Sequence, residues 1–320
     1  MSDYILEGQA LTRYYQTGNG KKFAACLDVN LKLKSGQTLG IVGESGCGKS
    51  TLLRLLTQLE RPDRGRLYFR GSDITGQRGE QLRRERRHIQ MVFQDPAAAF
   101  FSRMKAGRAI TQPITNYRRM TKAELLCRQK ELLEMVKLPG DYADRYPHSM
   151  SGGERQRLGI ARALALDPDI LICDEATCAL DVSVQKQMIR LLAEIQQARG
   201  LSMIFVCHDL ALVQSVSHVV MVMYLGTVAE ILPGAAVHQQ AKHPYTRALA
   251  AAVFSLDMDF DKTLPVLDGE IPSPLDRPAG CPFHTRCPHC MPVCSREQPQ
   301  LLKTGAEHYT ACHLYGKQVN

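Results

Sequence analysis

The chain has 320 residues and a net charge of +8, with 44% hydrophobic and 22% charged residues, proportions that exclude a disordered or collagen-like polymer and provide for a real core. Its length suits one large α/β domain plus a smaller one. The longest apolar runs, such as 170–173 and 219–223, fall well short of the roughly 18 residues that suggest a membrane-crossing helix. The Met1-Ser2-Asp3-Tyr4 start has no basic region ahead of an apolar stretch, so no signal peptide is expected and any membrane role is peripheral.

In chain order, residues 5–7 and 26–33 alternate apolar with polar side chains, the period of half-buried strands. An apolar strand at 37–42 runs straight into Gly43-Glu44-Ser45-Gly46-Cys47-Gly48-Lys49-Ser50, after which helical spacing continues through Thr51 to Leu59. The octapeptide fits G-x-x-x-x-G-K-[ST], a phosphate-binding loop, and stands in the strand-to-helix context that motif requires. Its glycines let backbone N–H groups turn inward around phosphates, and the helix at its end adds a positive dipole. Lys49 is expected to neutralise the β- and γ-phosphates, and Ser50 to offer a hydroxyl to Mg²⁺.

Basic residues gather at Arg83-Arg84-Glu85-Arg86-Arg87 and at Arg118-Arg119. A run this short reads first as a solvated helix face, with nucleic acid or an anionic membrane surface as the alternatives. Residues 96–149 look mostly helical, and leucines, Met135 and Val136 recur at helical spacing over 122–138. Ser151-Gly152-Gly153 reads on its own as a helix N-cap.

Next comes a buried strand at 169–173 that ends in Asp174-Glu175, then a helix at 184–198 and another strand at 203–207 that ends in His208. Strands alternating with helices of this length predict a parallel sheet covered by helices. Charges that directly follow an apolar strand point to the sheet's carboxyl edge, where ligands bind in such folds. Asp174 is therefore expected to hold Mg²⁺ through water, and Glu175 to activate an attacking water. His208, taken together with these motifs, is expected to contact the γ-phosphate.

After about residue 240 the composition shifts: long periodic segments stop and eight prolines fall between 265 and 299. A domain boundary is expected there. Six of the eleven cysteines are scattered through the first 210 residues, where buried cysteine acts as a small hydrophobe. The other five crowd between Cys281 and Cys312, and the odd total argues against a complete set of internal disulfides.

Ser151-Gly152-Gly153-Glu154-Arg155-Gln156-Arg157, between the phosphate loop and the acidic strand, resembles the signature sequence of the ABC ATPases. Five motifs in the right order make the match specific. The resemblance implies an α/β P-loop ABC ATPase domain over residues 1–240, with a β-rich subdomain, a parallel sheet core and a helical subdomain at about 96–160. It also implies a head-to-tail dimer in which Ser151 and Gly153, flanking Gly152, contact the γ-phosphate of the ATP held by the other subunit.

Carried over by position, Gln94 in Val92-Phe93-Gln94-Asp95 is similar to the residue that senses Mg²⁺ and water, and Ala179-Leu180-Asp181 to the loop that links the two sites. Tyr15 of Arg13-Tyr14-Tyr15 resembles the aromatic residue that stacks on adenine, with Tyr14 as the alternative one residue away. Three positions depart from the family's wording: Ala176 for proline, Cys178 for serine or threonine, and Glu154 for glutamine. None removes a phosphate or metal ligand.

His243-Pro244-Tyr245-Thr246 and Gly280-Cys281-Pro282-Phe283-His284-Thr285-Arg286-Cys287 resemble the C-terminal extension of the oligopeptide/dipeptide/nickel importer ATPases, here at 241–320. Cys281, Cys287, Cys294 and Cys312 reproduce that family's four-cysteine spacing, which in some members holds a [4Fe–4S] cluster. Four thiolates in a proline-rich segment with little core of its own make a soft site suited to iron–sulfur or Zn²⁺. Cys290 is an extra thiol, and Cys287-x-x-Cys290 with His284, His289 and His313 keeps zinc open.

The function the resemblance implies is ATP hydrolysis that drives an importer of dipeptides or oligopeptides, with nickel chelates or glutathione-like peptides as alternatives. Its partners are a second, related ATPase chain, two transmembrane permease subunits and an extracytoplasmic binding protein, and its place is the cytoplasmic face of the inner membrane. The segment after Gln94, here Ala97-Ala98-Ala99-Phe100-Phe101, is where that family docks its permease. A soluble ATPase acting on DNA or ribosomes carries a second phosphate loop or a long coiled-coil insertion, neither of which is found here. A nucleic-acid-binding module leaves the five ATPase motifs unexplained, so no nucleic-acid partner is expected.

Overall fold

The computed structural model describes residues 3–95, 100–176, 181–252 and 269–316. They fall into two compact units. The first gathers residues 3–33, 38–76, 206–252 and 269–316, and the second gathers residues 34–37, 77–95, 100–176 and 181–205.

In the first unit, β1 (Tyr4–Gln16) and β2 (Lys22–Lys34) are thirteen residues each, far longer than the short alternating stretches legible in the sequence. β3 (Thr38–Val42) is buried along its whole length, and α1 (Lys49–Leu56) follows it. Next are β4 (Arg64–Phe69) and β5 (Ser72–Asp73). β1 pairs antiparallel with β4, and the register shifts between Gln9 and Thr12. The bulge is built from Ala10 at φ 48 against Gly65, where an added Cβ would lie 2.4 Å from the Gln9 and Ala10 carbonyl oxygens. Only glycine lets the two backbones approach so closely.

The second unit begins its regular structure with α2 (Gly79–Arg86), which carries the basic cluster and buries none of its residues, as expected of a solvated face. β6 (Ile89–Val92), α3 (Ala106–Tyr117), α4 (Lys122–Met135) and α5 (Gly152–Leu164) follow. Then come β7 (Ile170–Asp174), α6 (Val182–Arg199) and β8 (Ser202–Val206). β6 and β7 run parallel with Ile89 opposite Ile170, and β8 neighbours β7. Ile110, Ile114, Leu132, Leu133 and Leu158 are buried among α3, α4 and α5.

The periodicity that runs to Leu138 in the sequence outlasts the helix. Lys137 adopts φ 56, and the Leu138 N–H donates back to the Leu133 carbonyl at 2.9 Å. A buried leucine just past such a helix end is the apolar contact that accompanies a left-handed cap, so it continues the pattern after the helix has stopped.

The first unit resumes with α7 (Leu210–Val216), β9 (Val219–Tyr224), β10 (Thr227–Pro233), α8 (Val237–Gln240), α9 (Pro244–Ala251), β11 (Leu302–Gly305) and β12 (His308–Thr310). β3 pairs parallel with β9, and β9, β10, β12 and β11 continue antiparallel in that order. β11 and β12 of the C-terminal segment therefore extend the sheet at β10 rather than hanging from it. The segment's anchor is Glu230 of β10, fully buried. Its carboxylate accepts hydrogen bonds from the Lys242 N–H at 2.8 Å and the His243 N–H at 3.1 Å. It also meets His308 Nε2 at 2.7 Å and Thr310 Oγ1 at 3.3 Å.

Candidate functional site

The phosphate loop leaves the buried strand β3 and closes into α1 within the first unit. Gly46 and Gly48 take φ 77 and φ 102, and a Cβ on Gly48 would sit 2.2 Å from the Ala25 carbonyl oxygen. The loop residues Ser45, Gly46 and Ser50 are exposed. Lys49 is only 6% exposed, and its amine donates to the Gly43 carbonyl at 2.6 Å and the Glu44 carbonyl at 3.0 Å. The cation is thus held inside the loop by carbonyl groups that an anion's oxygens can replace. Cys47 is buried against it, and burial pushes its thiol up from the usual range despite the opposing pull of Lys49.

The turn between β9 and β10 closes over this loop. The Gly226 N–H donates to the Cys47 carbonyl at 2.9 Å, and Met223 O would lie 2.3 Å from a Cβ on Gly43. His208 is exposed one residue beyond Cys207, whose N–H reaches the Ile41 carbonyl at 3.3 Å. It therefore emerges beside the strand that feeds the loop. Tyr14 and Tyr15 are both half-buried on β1 and, as strand neighbours, face opposite sides. Lys22 Nζ sits 4.4 Å over the Tyr14 ring, while the Tyr15 hydroxyl donates to Glu60 at 2.6 Å.

In the second unit, β7 delivers Asp174 at its last position and Glu175 immediately after it. Glu175 is a non-glycine residue at φ 44, a left-handed conformation of a kind that costs about 1–3 kcal/mol and persists where surrounding structure enforces it. Gln94, two residues beyond β6, donates from Nε2 to Glu175 Oε2 at 2.8 Å. Neighbouring parallel strands thus bring together two residues 81 positions apart.

Ser151 caps α5. Its hydroxyl accepts from the Glu154 N–H at 3.4 Å, and the Glu154 carboxylate accepts from the Ser151 N–H at 2.8 Å. The Tyr142 hydroxyl donates to Glu154 at 2.5 Å, and that bond, with those to Ser151, holds the Glu154 carboxyl below its usual range. The replacement of glutamine by Glu154 therefore supplies the acidic half of a reciprocal cap. The Ser-x-x-Glu spacing was the available signal for it. Asp181 caps α6 and accepts from the Val184 N–H at 3.0 Å and the Ser183 hydroxyl at 2.7 Å. Ala97–Ala99, Cys178, Ala179 and Leu180 lie outside the described residues.

Of the cysteines singled out by their spacing, Cys281, Cys294 and Cys312 are buried and Cys287 is partly so. The Cys281 N–H donates to the Cys294 carbonyl at 2.8 Å. Burial raises the Cys281 thiol to about 11, and Cys294, Cys312 and Cys287 act on it in the same direction. Among the described residues, no group of three or more His, Cys, Asp or Glu side chains is arranged to hold a single metal ion.

Two residues that the sequence reading left without a role reach the phosphate loop. Arg286 forks onto the Glu44 carboxylate at 2.8 and 3.2 Å, and the Tyr245 hydroxyl accepts from the Glu44 N–H at 3.0 Å. Both stand inside motifs already marked as unusual, but their partner is 201 or 242 positions away and no local pattern announces it.

The family model described as ABC transporter matches residues 26–178, and the model described as Oligopeptide/dipeptide transporter, C-terminal region, matches residues 229–294. The chain is 45% identical to the probable peptide ABC transporter ATP-binding protein y4tS of Sinorhizobium fredii, over 98% of this chain and 91% of that protein. It is 44% identical to the oligopeptide transport ATP-binding protein AppF of Bacillus subtilis, over 90% of this chain and 88% of that one. Among solved structures, it is similar to the dimeric post-hydrolysis state of the ATP-binding cassette MJ0796 bound to ADP and Pi. That match has a TM-score of 0.66 and 30% identity, and covers 71% of this chain and 98% of that chain.

Proposed function

The chain belongs to the ABC transporter family, as an ATP-hydrolysing subunit of the branch that carries the oligopeptide/dipeptide C-terminal region, and we propose that it drives uptake of peptides through membrane permease subunits. The observation that carries the chemical part of this reading is the Gln94–Glu175 contact beside Asp174 at the end of β7. It presents a carboxylate and an amide at the carboxyl edge of parallel strands, the arrangement that orients and deprotonates a water.

In this reading the backbone N–H groups of residues 45–51 and the Lys49 amine bind the ATP phosphates. Lys49 exchanges its two loop carbonyls for phosphate oxygens, and Tyr15 or Tyr14 stacks on the base. Ser50, Gln94 and Asp174, the last through water, are the residues that would hold Mg²⁺, which would supply charge neutralisation at the transferred phosphoryl group. Glu175 takes the proton of the attacking water, and His208 donates to the γ-phosphate. Ser151, Gly152 and Gly153 complete the site of a second ATPase chain, related but distinct, and Asp181 lies on the link between the two sites. The exposed position of Ser151 and Gly152 supports a contact made between subunits.

No helix among the described residues is long and apolar enough to cross a membrane, and we place the protein peripherally, on the cytoplasmic face, through its permease. A cavity of about 260 Å³ in the second unit supports that contact, lined by Met91, Phe93, Pro113, Tyr117, Arg162 and Leu166 among others. Phe93 at its wall is 49% exposed and Phe101 is 64% exposed, whereas Phe100 is half-buried with Arg162 over its ring at 5.9 Å. An apolar cleft with an exposed aromatic at its wall marks a protein contact. Changing Phe93 and Phe101 together to Asp is expected to abolish co-purification with the permease while nucleotide binding stays within about twofold of native. Retained co-purification would remove this surface from the interface.

Residues 241–320 form the extension in this reading, and the spacing of its four cysteines, three of them buried, supports an iron–sulfur cluster. Cys281, Cys287, Cys294 and Cys312 would hold a [4Fe–4S] cluster as thiolates, supplying structural or regulatory rather than hydrolytic chemistry. Protein purified without oxygen is expected to contain about four irons and matching sulfide per chain. Cys294→Ser should lower that content without abolishing nucleotide binding, and unchanged iron in the variant would end the assignment.

A further inference from the structure

Resting on the reading of residues 43–51 as the ATP-phosphate loop, we infer that Arg286 and Tyr245 of the C-terminal segment are positioning residues for nucleotide binding, acting through Glu44. The side chain of Arg286 is 5% exposed and that of Glu44 22%. The two guanidinium N–H groups reach the two carboxylate oxygens separately, at 2.8 and 3.2 Å, a bidentate fork that fixes orientation as well as charge. The same guanidinium reaches the Tyr224 hydroxyl at 3.4 Å. Tyr224 packs edge-on against Tyr245 and Phe283, with ring centroids 4.7 and 5.3 Å away. Tyr245 and Phe283 are themselves 5.4 Å apart. This aromatic cluster is buried, so the arginine and the Tyr245 hydroxyl are aimed by a rigid support.

Glu44 is held at three places. Its carboxylate is on Arg286, its N–H is on Tyr245, and its carbonyl takes the Lys49 amine. The residue that sets where Lys49 waits is therefore itself set by the C-terminal segment. The fork also matters electrostatically. A carboxylate in the second position of a phosphate loop repels the triphosphate that the loop must bind, and a paired guanidinium cancels most of that repulsion in a partly desolvated place, where charge interactions are strong. Arg286 lies between Cys281 and Cys287, so whatever orders those cysteines orders the arginine.

The test measures equilibrium binding of a fluorescent ATP analogue with Mg²⁺, together with steady-state ATPase kinetics, on the full-length chain. Arg286→Ala is expected to weaken binding about tenfold and raise KM by the same factor, with kcat within about twofold of native. Glu44→Gln removes the repelling charge and should bind within about threefold of native. The double variant should recover to that level, because no unpaired carboxylate remains. Tyr245→Phe, which keeps the ring packing and loses only the acceptor, should weaken binding about threefold and serves if Arg286→Ala does not fold.

Binding by Arg286→Ala within twofold of native would overturn the inference, as would a double variant as weak as Arg286→Ala, or a Tyr245→Phe variant indistinguishable from native. Failure of the native chain itself to bind the analogue would instead overturn the reading of the loop, and the inference with it.

Discussion

Glu175→Gln is expected to lower ATP turnover by about 10²–10⁴-fold, the range contributed by a positioned general base, while nucleotide binding is retained. The substitution keeps the shape of the side chain and its contact with Gln94, and removes only the basicity. The backbone at φ 44 must already be enforced by its surroundings, and glutamine adopts it at a cost similar to that of glutamate, so the protein should fold. The measurement is phosphate release against equilibrium binding of ATP on the same preparation. If hydrolysis separates two subunits that ATP has brought together, the variant should also elute as a dimer with ATP and as a monomer with ADP. Turnover within tenfold of native would mean that another group takes the proton, and His208 would be the next to examine.

How much of this was legible beforehand depends on the range of the interaction. The phosphate loop is a contiguous octapeptide whose glycines, lysine and serine each answer to a local backbone or charge requirement, and the structure puts Gly46 and Gly48 in left-handed conformations. Asp174 and Glu175 were legible for a similar reason, since four apolar residues running into two charges have few other meanings. Strand lengths were less legible: β1 and β2 extend well past the alternating stretches because pairing, rather than side-chain period, carries their outer residues. The left-handed Lys137 was not legible either, since a leucine beyond the cap mimics another helical turn.

The tail shows the limit most clearly. Proline density and cysteine spacing marked it as a separate kind of segment, but gave no hint that its arginine and tyrosine grip the phosphate loop, because a contact across 242 positions depends on the topology of β9, β10 and β12 rather than on any local pattern. Glu154 lies between these cases. It departs from the family's glutamine, yet the Ser-x-x-Glu cap it completes is local, and the spacing rule alone would have found it.

The largest loss of stability is expected for Glu230→Ala. Its carboxylate is fully buried and serves two backbone N–H groups, His308 and Thr310 at once, tying α8–α9 and β12 to β10. Removing it leaves those donors buried and without their acceptor, and breaking such a buried polar centre costs about 3–5 kcal/mol. In a chain of this size a loss of that order lowers the melting temperature by roughly 4–7 °C. Glu230→Gln keeps one acceptor oxygen and the volume of the side chain, so it should lose about 1–3 kcal/mol. Thermal melting of the three proteins reads the order directly, and limited proteolysis tells where the structure opens. Cleavage should appear first beyond residue 240, since the first strands and the phosphate loop keep their own core. An alanine variant that melts within about 2 °C of native would mean that the C-terminal segment is held by its aromatic cluster alone, and that Glu230 is satisfied without contributing to the attachment.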